Sequence, residues 1–499
     1  MRRFLPLLFV ALCAAVTTVA AVVLSARWWF AAGPLLATAC LGVHDLLQRG
    51  SSVARSYPLV GRLRYPAARA LPGGGGPGRP SVPAGEPEGH EHHEYLVPSL
   101  RPVEAAEEPP VVRVGGPDCS QPYDMALLNV SAMSFGALSA RAVLALNRGA
   151  ALGRFAQDTG EGGLSEHHLR GGGDLVWEIG TGYFGCRTAD GGFDEREFAD
   201  KAALPEVRCV SLKLSQGAAP GGGAVLPGVK VGVEVARERR APVGEPVVSP
   251  PVHRTFATPR ELVLFVAWLR ELAGGKPTGF KLCVGSRREF LAVCRAMAAE
   301  GVTPDFVVVD GSEGGTGSAP TEFAGRLGMP LTQGLITVHN ALAGVGLRDR
   351  VRIGASGRVA SGSDIVRRLV QGADYTNAAR AMMLSVGCVR AGRCHTGACP
   401  AGVATQDPSR ARALHVADKA RQVRRYQRET VRDAVRIMAA MGVREPGGLT
   451  PAQLVRRTGP GSERSYAELY EWLAPGELLA GPPESWAADW KAADPDSFG

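Results

Sequence analysis

The chain has 499 residues and a formal net charge of +8, with 45% apolar and 21% charged residues. This composition is ordinary for a folded protein with a sizeable core, and ten cysteines are too few for a disulfide-dense scaffold. The most basic run, 418–438, has apolar residues at helical spacing, which leaves its arginines on a solvated face. The sequence therefore predicts no nucleic-acid partner.

Residues 1–48 are predicted to form a transmembrane helical hairpin. Phe4–Leu24 carries no charge and has the ~20 residues that cross a bilayer, and a second apolar stretch, Trp28–His44, follows it. Arginines lie before the first stretch and after the second. The positive-inside rule then predicts a membrane protein with both ends of the hairpin and the folded body in the cytoplasm. A signal peptide, or one span with the body outside, are the alternatives.

A membrane-proximal segment and a flexible linker are predicted after the hairpin, because 71–110 is rich in Pro, Gly and Glu. His90, His92 and His93 belong to this linker, where a solvated spacer is expected and a metal site is the alternative. The predicted units are the hairpin 1–48, the segment and linker 49–110, a folded body 111–457 and a helical tail 458–499.

The body alternates short apolar runs with helical segments, a pattern typical of a parallel sheet covered on both faces. The predicted strands are 125–133, 154–160, 208–215, 279–285, 305–311, 350–357 and 373–380. Helices are predicted between them, for example over 259–275 and 287–301. Seven or eight such repeats predict an α/β fold, a (β/α)8 TIM barrel, with an open doubly wound sheet as the alternative.

Glycine and polar residues accumulate directly after the predicted strands. The loops are "SAMSFGALS", "TGEGGLSEHH", "SQGAAPGGG", "GSEGGTGSAP" and "SGRVASG". In a barrel such loops share the C-terminal rim, where active sites are built. Glycine-rich backbone lets amide groups approach an anion, and "GGTG" and "ASGRVASG" suit a phosphate. The sequence therefore predicts a ligand site on this rim.

Three cysteines, Cys388, Cys394 and Cys399, lie close together in "GCVRAGRCHTGACPAGVATQDP". A cytoplasmic body keeps thiols reduced, which disfavours a disulfide. Thiolates hold iron–sulfur clusters. Zinc normally takes a fourth ligand, and His395 is adjacent to Cys394, which strains a tetrahedral set. An iron–sulfur cluster, a zinc site and three buried thiols all remain open on these residues alone.

From about Val111 to Arg457 the chain resembles the FMN-binding synthase domain of glutamate synthases, and most closely the single-domain glutamate synthase-like proteins. The resemblance rests on motifs that follow the family's order over most of the body. These are "NVSAMSFGALS", "DTGEGG", "LKLSQGA", "SPPVHRTFATPREL", "GFKLCVG", "VVDGSEGGTGSAP", "LRDRVRIGASGRVASGSDIVRRLVQGADYTNAARAMM" and the cysteine motif. "GRLRY" (61–65) also resembles the membrane-proximal part of those single-domain relatives.

The resemblance implies two cofactors, FMN and a 3Fe–4S cluster with Cys388, Cys394 and Cys399 as ligands. It places Lys281 near N1 and O2 of the flavin, where a cation stabilises the reduced ring. A pairing of Lys281 with Asp310 is the alternative. The implied flavin contacts are the backbone of Ser131, Ala132, Met133 and Ser134, and the phosphate contacts are Gly357, Arg358, Ala379 and Arg380, with Gly314, Gly315, Thr316 and Gly317 closing the rim.

For the substrate, the resemblance implies Glu161, Lys213 and Gln216 around a pocket that faces the flavin. The family reaction adds ammonia to 2-oxoglutarate, and hydride from the flavin reduces the imine to L-glutamate. Lys213 and Gln216 would bind a carboxylate or the keto oxygen. Glu161 would orient ammonia or carry its proton, with capping of nearby amides as the alternative.

Three features depart from the family. Arg2 stands where an amidotransferase has its processed N-terminal cysteine, so glutamine hydrolysis is not expected. No G-x-G-x-x-G follows a strand, so electrons are expected from a partner protein, a ferredoxin or an NAD(P)H-oxidising subunit. The family's "GAKPG" is "GAAPG" here, with Ala219 for a lysine and Gly222 for a polar or acidic residue. An N-methylglutamate synthase-like or other amine/2-oxo acid oxidoreductase, and a non-catalytic electron-relay flavoprotein, are therefore the alternatives.

Overall fold

The computed structural model describes residues 2–61, 93–217, 224–314, 322–323, 325–459 and 461–499. Some residues singled out in the sequence lie outside these described residues, as does most of the "GRLRY" segment. They are His90, His92, Ala219, Gly222, Gly315, Thr316 and Gly317.

The described ranges contain short strands and a series of helices that mostly follow them. The strands are β1 Glu94–Leu96, β2 Val111–Val114, β3 Tyr123–Ala126, β4 Leu128–Val130, β5 Gln157–Asp158, β6 Leu175–Ile179, β7 Val207–Lys213, β8 Val225–Leu226, β9 Val247–Val248, β10 Thr278–Leu282, β11 Phe306–Asp310, β12 Arg352–Ser356, β13 Tyr375–Ala378, β14 Leu454–Gly459 and β15 Ser462–Ser465. The helices are α1 Leu5–Val23, α2 Trp29–Leu47, α3 Ser52–Ser56, α4 Ala140–Gly153, α5 Glu166–Leu169, α6 Glu195–Ala202, α7 Val233–Arg239, α8 Pro259–Leu272, α9 Arg287–Glu300, α10 Leu331–Gly344, α11 Gly362–Val370, α12 Arg380–Val386, α13 Pro408–Ala411, α14 Val416–Ala440, α15 Tyr466–Leu469, α16 Glu477–Ala480 and α17 Glu484–Ala492.

Eight parallel strands close into a barrel in the order β4-β5-β6-β7-β10-β11-β12-β13, which confirms the predicted TIM barrel. Each of the seven strands predicted from the sequence overlaps one strand of the barrel. Strand β6 is missing from that prediction, because its apolar run is short and contains Glu178. Since β6 is buried throughout, this carboxylate has to find a partner inside the barrel.

The N-terminal end of the barrel is filled by apolar side chains. Strands β2 and β3 form an antiparallel hairpin, and its Val114 and Met125 pack against Phe306, Val308 and Tyr375 in the barrel interior. These residues are almost fully buried. Because this end is closed by packing, a ligand site is expected at the opposite, C-terminal rim.

Helix α14 packs along α4 on the outside of the barrel. A side chain at Gly149 would bring its Cβ to 2.7 Å from Val423, so this glycine lets the two helices approach closely. The apolar positions Tyr426 and Ala434 are buried, while arginines such as Arg425 are exposed. This confirms that the basic run of 418–438 has a solvated face.

Helices α1 and α2 pair as an antiparallel hairpin at the N-terminus. By length and composition, Leu5–Val23 and Ala26–Leu47 are candidate membrane spans, with mean hydropathy of 2.4 and 1.4. At the C-terminus, β1, β14 and β15 form a small sheet, and α17 packs on α9 with Arg287 lying over Trp486. The tail is therefore a helical extension, and it also contributes the unpredicted strand β15. The division of the chain at residues 48, 110 and 457 stays a prediction.

Candidate active site

The barrel fold brings the predicted rim residues together. Those described follow the carboxyl ends of different barrel strands. Ser131–Ser134 follow β4, Glu161 follows β5, Gln216 follows β7, Gly314 follows β11, Gly357 and Arg358 follow β12, and Ala379 and Arg380 follow β13. Lys213 and Asp310 are the last residues of β7 and β11, and Lys281 is the penultimate residue of β10. Because all eight strands are parallel, these positions share the barrel mouth.

Lys213 and Glu161 form an ion pair at this mouth. Lys213 Nζ lies 2.8 Å from Glu161 Oε1, and both side chains are largely shielded from water. Ser249 Oγ donates a longer hydrogen bond, of 3.4 Å, to Oε2 of the same carboxylate. Burial alone would raise the pKa of Glu161, but the cations of Lys213, Arg239 and Lys281 outweigh it and lower the pKa below its ordinary value. Glu161 is therefore an ionised carboxylate close to the rim.

Lys281 forms a second pair, and its partner differs from the one considered in the sequence. Its Nζ lies 3.1 Å from Glu178 Oε2, with both side chains buried. Asp310 instead accepts a 2.8 Å hydrogen bond from the Gly217 amide. Burial acts to lower the pKa of Lys281, but the carboxylates of Glu178, Asp310 and Asp158 outweigh it and raise the pKa. The sequence missed Glu178 because it missed β6, although an acid inside an apolar run was a usable signal.

The two pairs are neighbours in the barrel wall. Lys213 and Lys281 are register partners on β7 and β10, so their side chains leave the sheet on the same side. Asp158 adds a further buried carboxyl, and it accepts a 2.9 Å hydrogen bond from the Gly160 amide. Burial, together with the charge of Glu178, raises the pKa of Asp158. The mouth thus holds two buried cations side by side, each neutralised by its own carboxylate.

Arg239 is a third buried cation that the sequence did not single out. It ends α7, and its Nη2 donates 3.3 Å hydrogen bonds to Ser134 Oγ and to the Phe135 carbonyl. Burial lowers its pKa to about 10, which the charge of Glu161 partly offsets. Its buried Nε has no hydrogen-bond partner among the described residues. In the sequence this arginine belongs to the basic run "RERR", which gave no sign of burial.

The ring of His253 forms a hydrogen bond with the backbone of Lys213. Its Nε2 lies 2.9 Å from the Lys213 carbonyl and its Nδ1 lies 3.2 Å from the Tyr183 hydroxyl. Burial lowers the pKa of His253 to about 4, so the ring is neutral and donates its Nε2 proton to the carbonyl. Tyr183 in turn accepts a 3.0 Å hydrogen bond from the Arg254 amide. This chain of contacts holds the end of β7 in place.

The side of the mouth without the lysine–carboxylate pairs is formed by three adjacent strands, β12, β13 and β4. Ser131 Oγ lies 3.1 Å from Ser356 Oγ, which ties the loop after β4 to the end of β12. Gly357 has a φ of 145°, a backbone conformation that side chains rarely adopt. A Cβ at Gly160 would lie 2.7 Å from the Ser134 amide, so the loop after β5 packs directly on that backbone. Small residues therefore leave backbone amides accessible on this side.

The three predicted cysteine ligands lie between α12 and α13. Cys399 is buried, and Cys388 and Cys394 are half-buried. Burial, together with the charges of the nearby Cys399 and Cys394, raises the pKa of Cys388 to about 11, so the three thiols are close enough to influence one another.

Lys230 connects this cysteine loop to the barrel mouth. Its Nζ donates hydrogen bonds of 2.6 Å to the Ala137 carbonyl and 3.0 Å to the Cys394 carbonyl. Burial lowers the pKa of Lys230 to about 8, while Cys394 and Cys399 act to raise it. The sequence did not single out this lysine, because its importance depends on contacts with two distant loops.

Known proteins share this chain's sequence over the barrel. The glutamate synthase large subunit-like protein YerD of Bacillus subtilis (strain 168) is 41% identical over 351 residues, which cover 70% of this chain and 66% of that protein. The archaeal glutamate synthase (NADPH) of Methanocaldococcus jannaschii is 30% identical over 315 residues, covering 63% of this chain and 58% of that protein. The glutamate synthase (NADPH) large chain of Azospirillum brasilense is 31% identical over 321 residues, covering 62% of this chain and 20% of that protein.

The matched region spans less than two thirds of each of these relatives. The family described as the conserved region in glutamate synthase matches residues 108–444, which include the barrel, both lysine–carboxylate pairs and the three cysteines. This chain belongs to the glutamate synthase family.

Proposed function

We propose that the chain is an FMN- and iron–sulfur-dependent oxidoreductase that converts 2-oxoglutarate and ammonia to L-glutamate with electrons from a partner protein. The observation that carries the proposal is the pair of buried contacts at the mouth, Lys213–Glu161 at 2.8 Å and Lys281–Glu178 at 3.1 Å. Burying two adjacent lysines is costly unless their charge is used or neutralised. Family membership supports this reaction class.

The residues on the side of the mouth formed by β12, β13 and β4 fit an FMN. When bound, the flavin supplies the hydride that reduces the imine carbon. The loops after β12 and β13, with Gly357, Arg358, Ala379 and Arg380, would hold its phosphate, since these are the last two strands of the barrel. The backbone of Ser131–Ser134 would lie against the ring. Lys281 would stabilise negative charge on the reduced ring, and Glu178 fixes the position of that cation.

A dicarboxylate substrate fits the cations on the other side of the mouth. Lys213 can transfer its hydrogen bond from Glu161 to a substrate carboxylate, and Arg239 still has an unused Nε donor. Gln216 is half-buried three residues beyond Lys213 and would donate to the keto oxygen. Glu161 is ionised because of its lowered pKa, so it can bind ammonium. When Lys213 turns to the substrate carboxylate, Glu161 loses the cation that most lowers its pKa and can accept the proton released as ammonia attacks the keto carbon.

The cysteine loop fits an iron–sulfur cluster. Cys388, Cys394 and Cys399 lie close enough to influence one another's pKa, and thiolates are the usual ligands of clusters that contain several irons. Lys230 would add a positive charge beside the anionic cluster. We further propose that α1 and α2 anchor the chain in a membrane, with the barrel on the cytoplasmic side.

The proposal is tested with the full chain purified without air. Chemical analysis gives its FMN and iron content, and the reduced flavin is then mixed with 2-oxoglutarate plus ammonium. We expect flavin reoxidation that needs both reagents, with L-glutamate as the product. Methylammonium and other 2-oxo acids are the controls for the alternative amine/2-oxo acid reactions. A reduced flavin that ignores every such pair would make the chain an electron relay and overturn the synthase proposal.

A further inference from the structure

The segment that carries the three cysteines contacts the residues that directly follow the N-terminal helical hairpin. We call residues 387–413 the cysteine segment and residues 50–57 the hairpin base. Arg55 Nη1 donates a 3.1 Å hydrogen bond to the Ala413 carbonyl. Arg410 Nη1 donates to the Tyr57 hydroxyl at 2.8 Å and, at 3.4 Å, to the carbonyl of Ala398, the residue before Cys399. One arginine thus joins the hairpin base to the cysteine segment.

The hairpin base is packed into the barrel domain. Val53 is 1% exposed and belongs to the same hydrophobic core as Val389 and Cys399. Lys419 Nζ donates a 3.1 Å hydrogen bond to the Gly50 carbonyl. Just before α1, Arg3 donates a hydrogen bond to the side-chain oxygen of Ser409. Contacts made just before α1 and just after α2 therefore fix the direction of the hairpin relative to the cysteine segment.

The open end of the hairpin is the end that touches the barrel. Leu7, near the start of α1, packs against Gly42, near the end of α2. Each helix has 19 residues, which is about 28 Å at 1.5 Å per residue and matches a bilayer core of about 30 Å. The turn at Ser25–Trp28 is therefore about one bilayer thickness from the base. If the hairpin spans a membrane, the membrane surface meets the chain at the hairpin base.

The exposed side chains of the cysteine segment suit a membrane surface. Arg390 and Arg393 are exposed, and the one acidic residue of the cysteine segment, Asp407, pairs with Arg410. Anionic lipid headgroups of the cytoplasmic leaflet attract such cations. Val229 is 75% exposed and lies next to this surface, with its Cγ2 3.7 Å from the position of a Cβ at Gly397. A cationic surface with an adjacent exposed apolar side chain is typical of interfacial contact.

We propose that the hairpin seats the cysteine segment on the membrane surface, so that electrons enter the chain one at a time from a one-electron carrier protein bound to the same membrane, which is oxidised as the cluster is reduced. This inference rests on the proposed cluster and on the proposed membrane anchor. It goes beyond them, because an anchor alone would leave the cluster free to face the aqueous phase. The helical hairpin then sets the route of electrons as well as the location of the enzyme.

The position of the cluster is tested by electron paramagnetic resonance on the full chain in vesicles of phosphatidylcholine and phosphatidylglycerol. A nickel chelate attached to lipid headgroups is compared with the same chelate free in solution. We expect the lipid-held nickel to raise the microwave power that half-saturates the cluster signal several-fold, and the soluble nickel to act weakly. Strong relaxation by soluble nickel with no effect of lipid-held nickel would overturn the inference.

Charge-reversal variants sharpen this test. Arg390→Glu/Arg393→Glu should weaken the effect of the lipid-held nickel, whereas the control Arg428→Glu/Arg432→Glu, on the exposed face of α14, should not. Equal behaviour of the two variants would contradict the role given to Arg390 and Arg393. Absence of iron from the purified protein would instead contradict the proposed cluster. Failure of the protein to float with the vesicles would contradict the proposed membrane anchor. Failure of this inference is therefore distinguishable from failure of either proposal on which it rests.

The electron route is tested with two reductants that share one redox group. Hexadecyl viologen radical partitions into the bilayer, and methyl viologen radical stays in solution; each gives up one electron. At equal total concentration, we expect the lipid-held radical to reduce the protein-bound iron about tenfold faster, because it is concentrated at the membrane surface. The difference should vanish in detergent. Reduction by methyl viologen that is as fast in vesicles would contradict entry from the membrane.

Discussion

At the N-terminal end of the barrel a buried carboxylate has both oxygens occupied by the protein, whereas at the mouth buried polar atoms lack partners. Asp305 accepts hydrogen bonds from the Gly116 amide at 2.6 Å, the Thr278 amide at 2.8 Å and Arg270 at 3.3 Å. At the mouth, Arg239 Nε is buried without a partner among the described residues, while Nη2 of the same side chain contacts the loop after β4. An unused buried donor is costly, so a ligand bound beside Arg239 would gain a hydrogen bond there.

Buried lysines at the two ends differ in the same way. Lys276, at the N-terminal end, donates to the Ala202 and Leu204 carbonyls at 2.6 and 2.9 Å, which no substrate can replace. Lys213, at the mouth, pairs with a carboxylate that a substrate can replace. Burial of charge therefore does not by itself mark a functional residue. The nature of the partner separates a structural ion from a reactive one.

Removing the fully bonded carboxylate should give the largest effect, and it should act on stability. Asp305→Ala leaves Arg270 buried without this partner and frees two amides, so we expect the free energy of unfolding to fall by about 3–5 kcal/mol. Urea denaturation measures the change. Turnover of the folded variant should stay near that of the wild type. A loss of turnover larger than the loss of stability would mean that the N-terminal end also serves catalysis.

The matching change at the mouth should act on turnover. Lys213→Met removes the cation that would bind substrate, so we expect glutamate formation to fall on the order of 10²–10³-fold. The control is Lys276→Met, which also removes a buried lysine but at the opposite end. It should lower thermal stability and leave turnover of the folded protein nearly unchanged. Equal losses of turnover in the two variants would break the distinction between the ends.

Two buried histidines, one at the mouth and one near the other end, allow the two ends of the barrel to be compared through the pH dependence of stability. Burial lowers the pKa of His253, at the mouth, and of His339, near the other end, to about 4. In the unfolded chain a histidine titrates near pH 6.5. The buried, neutral ring of each histidine therefore contributes its full stability to the fold only above that pH. As pH falls from about 6.5 to 4, protons bind the unfolded state and the stability is lost, by about 2–3 kcal/mol for each histidine.

Glutamine variants separate the two histidines. Both His253→Gln and His339→Gln should flatten the dependence of the urea midpoint on pH between about 6.5 and 4. Only His253→Gln should also reduce turnover at neutral pH, because His253 donates to the Lys213 carbonyl. His339 instead contacts Arg348, which pairs with Asp374. A turnover defect in His339→Gln alone would contradict the positioning role of His253.

The sequence predicts the barrel well because its strands are apolar runs followed by glycine-rich loops, and this pattern is local. It also brings Glu161 and Lys213 to one rim, since Glu161 follows one predicted strand and Lys213 lies near the carboxyl end of another. Glu178 and Arg239 were missed for a physical reason. A charge inside a strand or a basic run becomes interpretable only through its partner, and the partner of Glu178 is 103 residues away along the chain. Those contacts depend on closing the barrel.

The smallest effect is expected within the mouth itself, at the pair whose partner the sequence missed. Glu178→Gln keeps the shape of the side chain but removes the charge that neutralises Lys281. The less neutralised cation should favour the anionic reduced flavin, so the flavin midpoint potential should rise by about 20–40 mV, equivalent to about 1–2 kcal/mol. A spectroscopic redox titration of the purified variant measures it.

The control for this change is Asp374→Asn, which removes the carboxylate that pairs with Arg348 at the opposite end. It should leave the flavin potential unchanged, because Arg348 lies outside the mouth. An unchanged potential in Glu178→Gln would mean that Asp158 and Asp310, whose charges also act on Lys281, keep it neutralised. The flavin potential of the Glu178→Gln/Asp310→Asn double variant then decides between two cases. A raised potential means that several carboxylates share the neutralisation of Lys281, and an unchanged potential means that these carboxylates do not tune it.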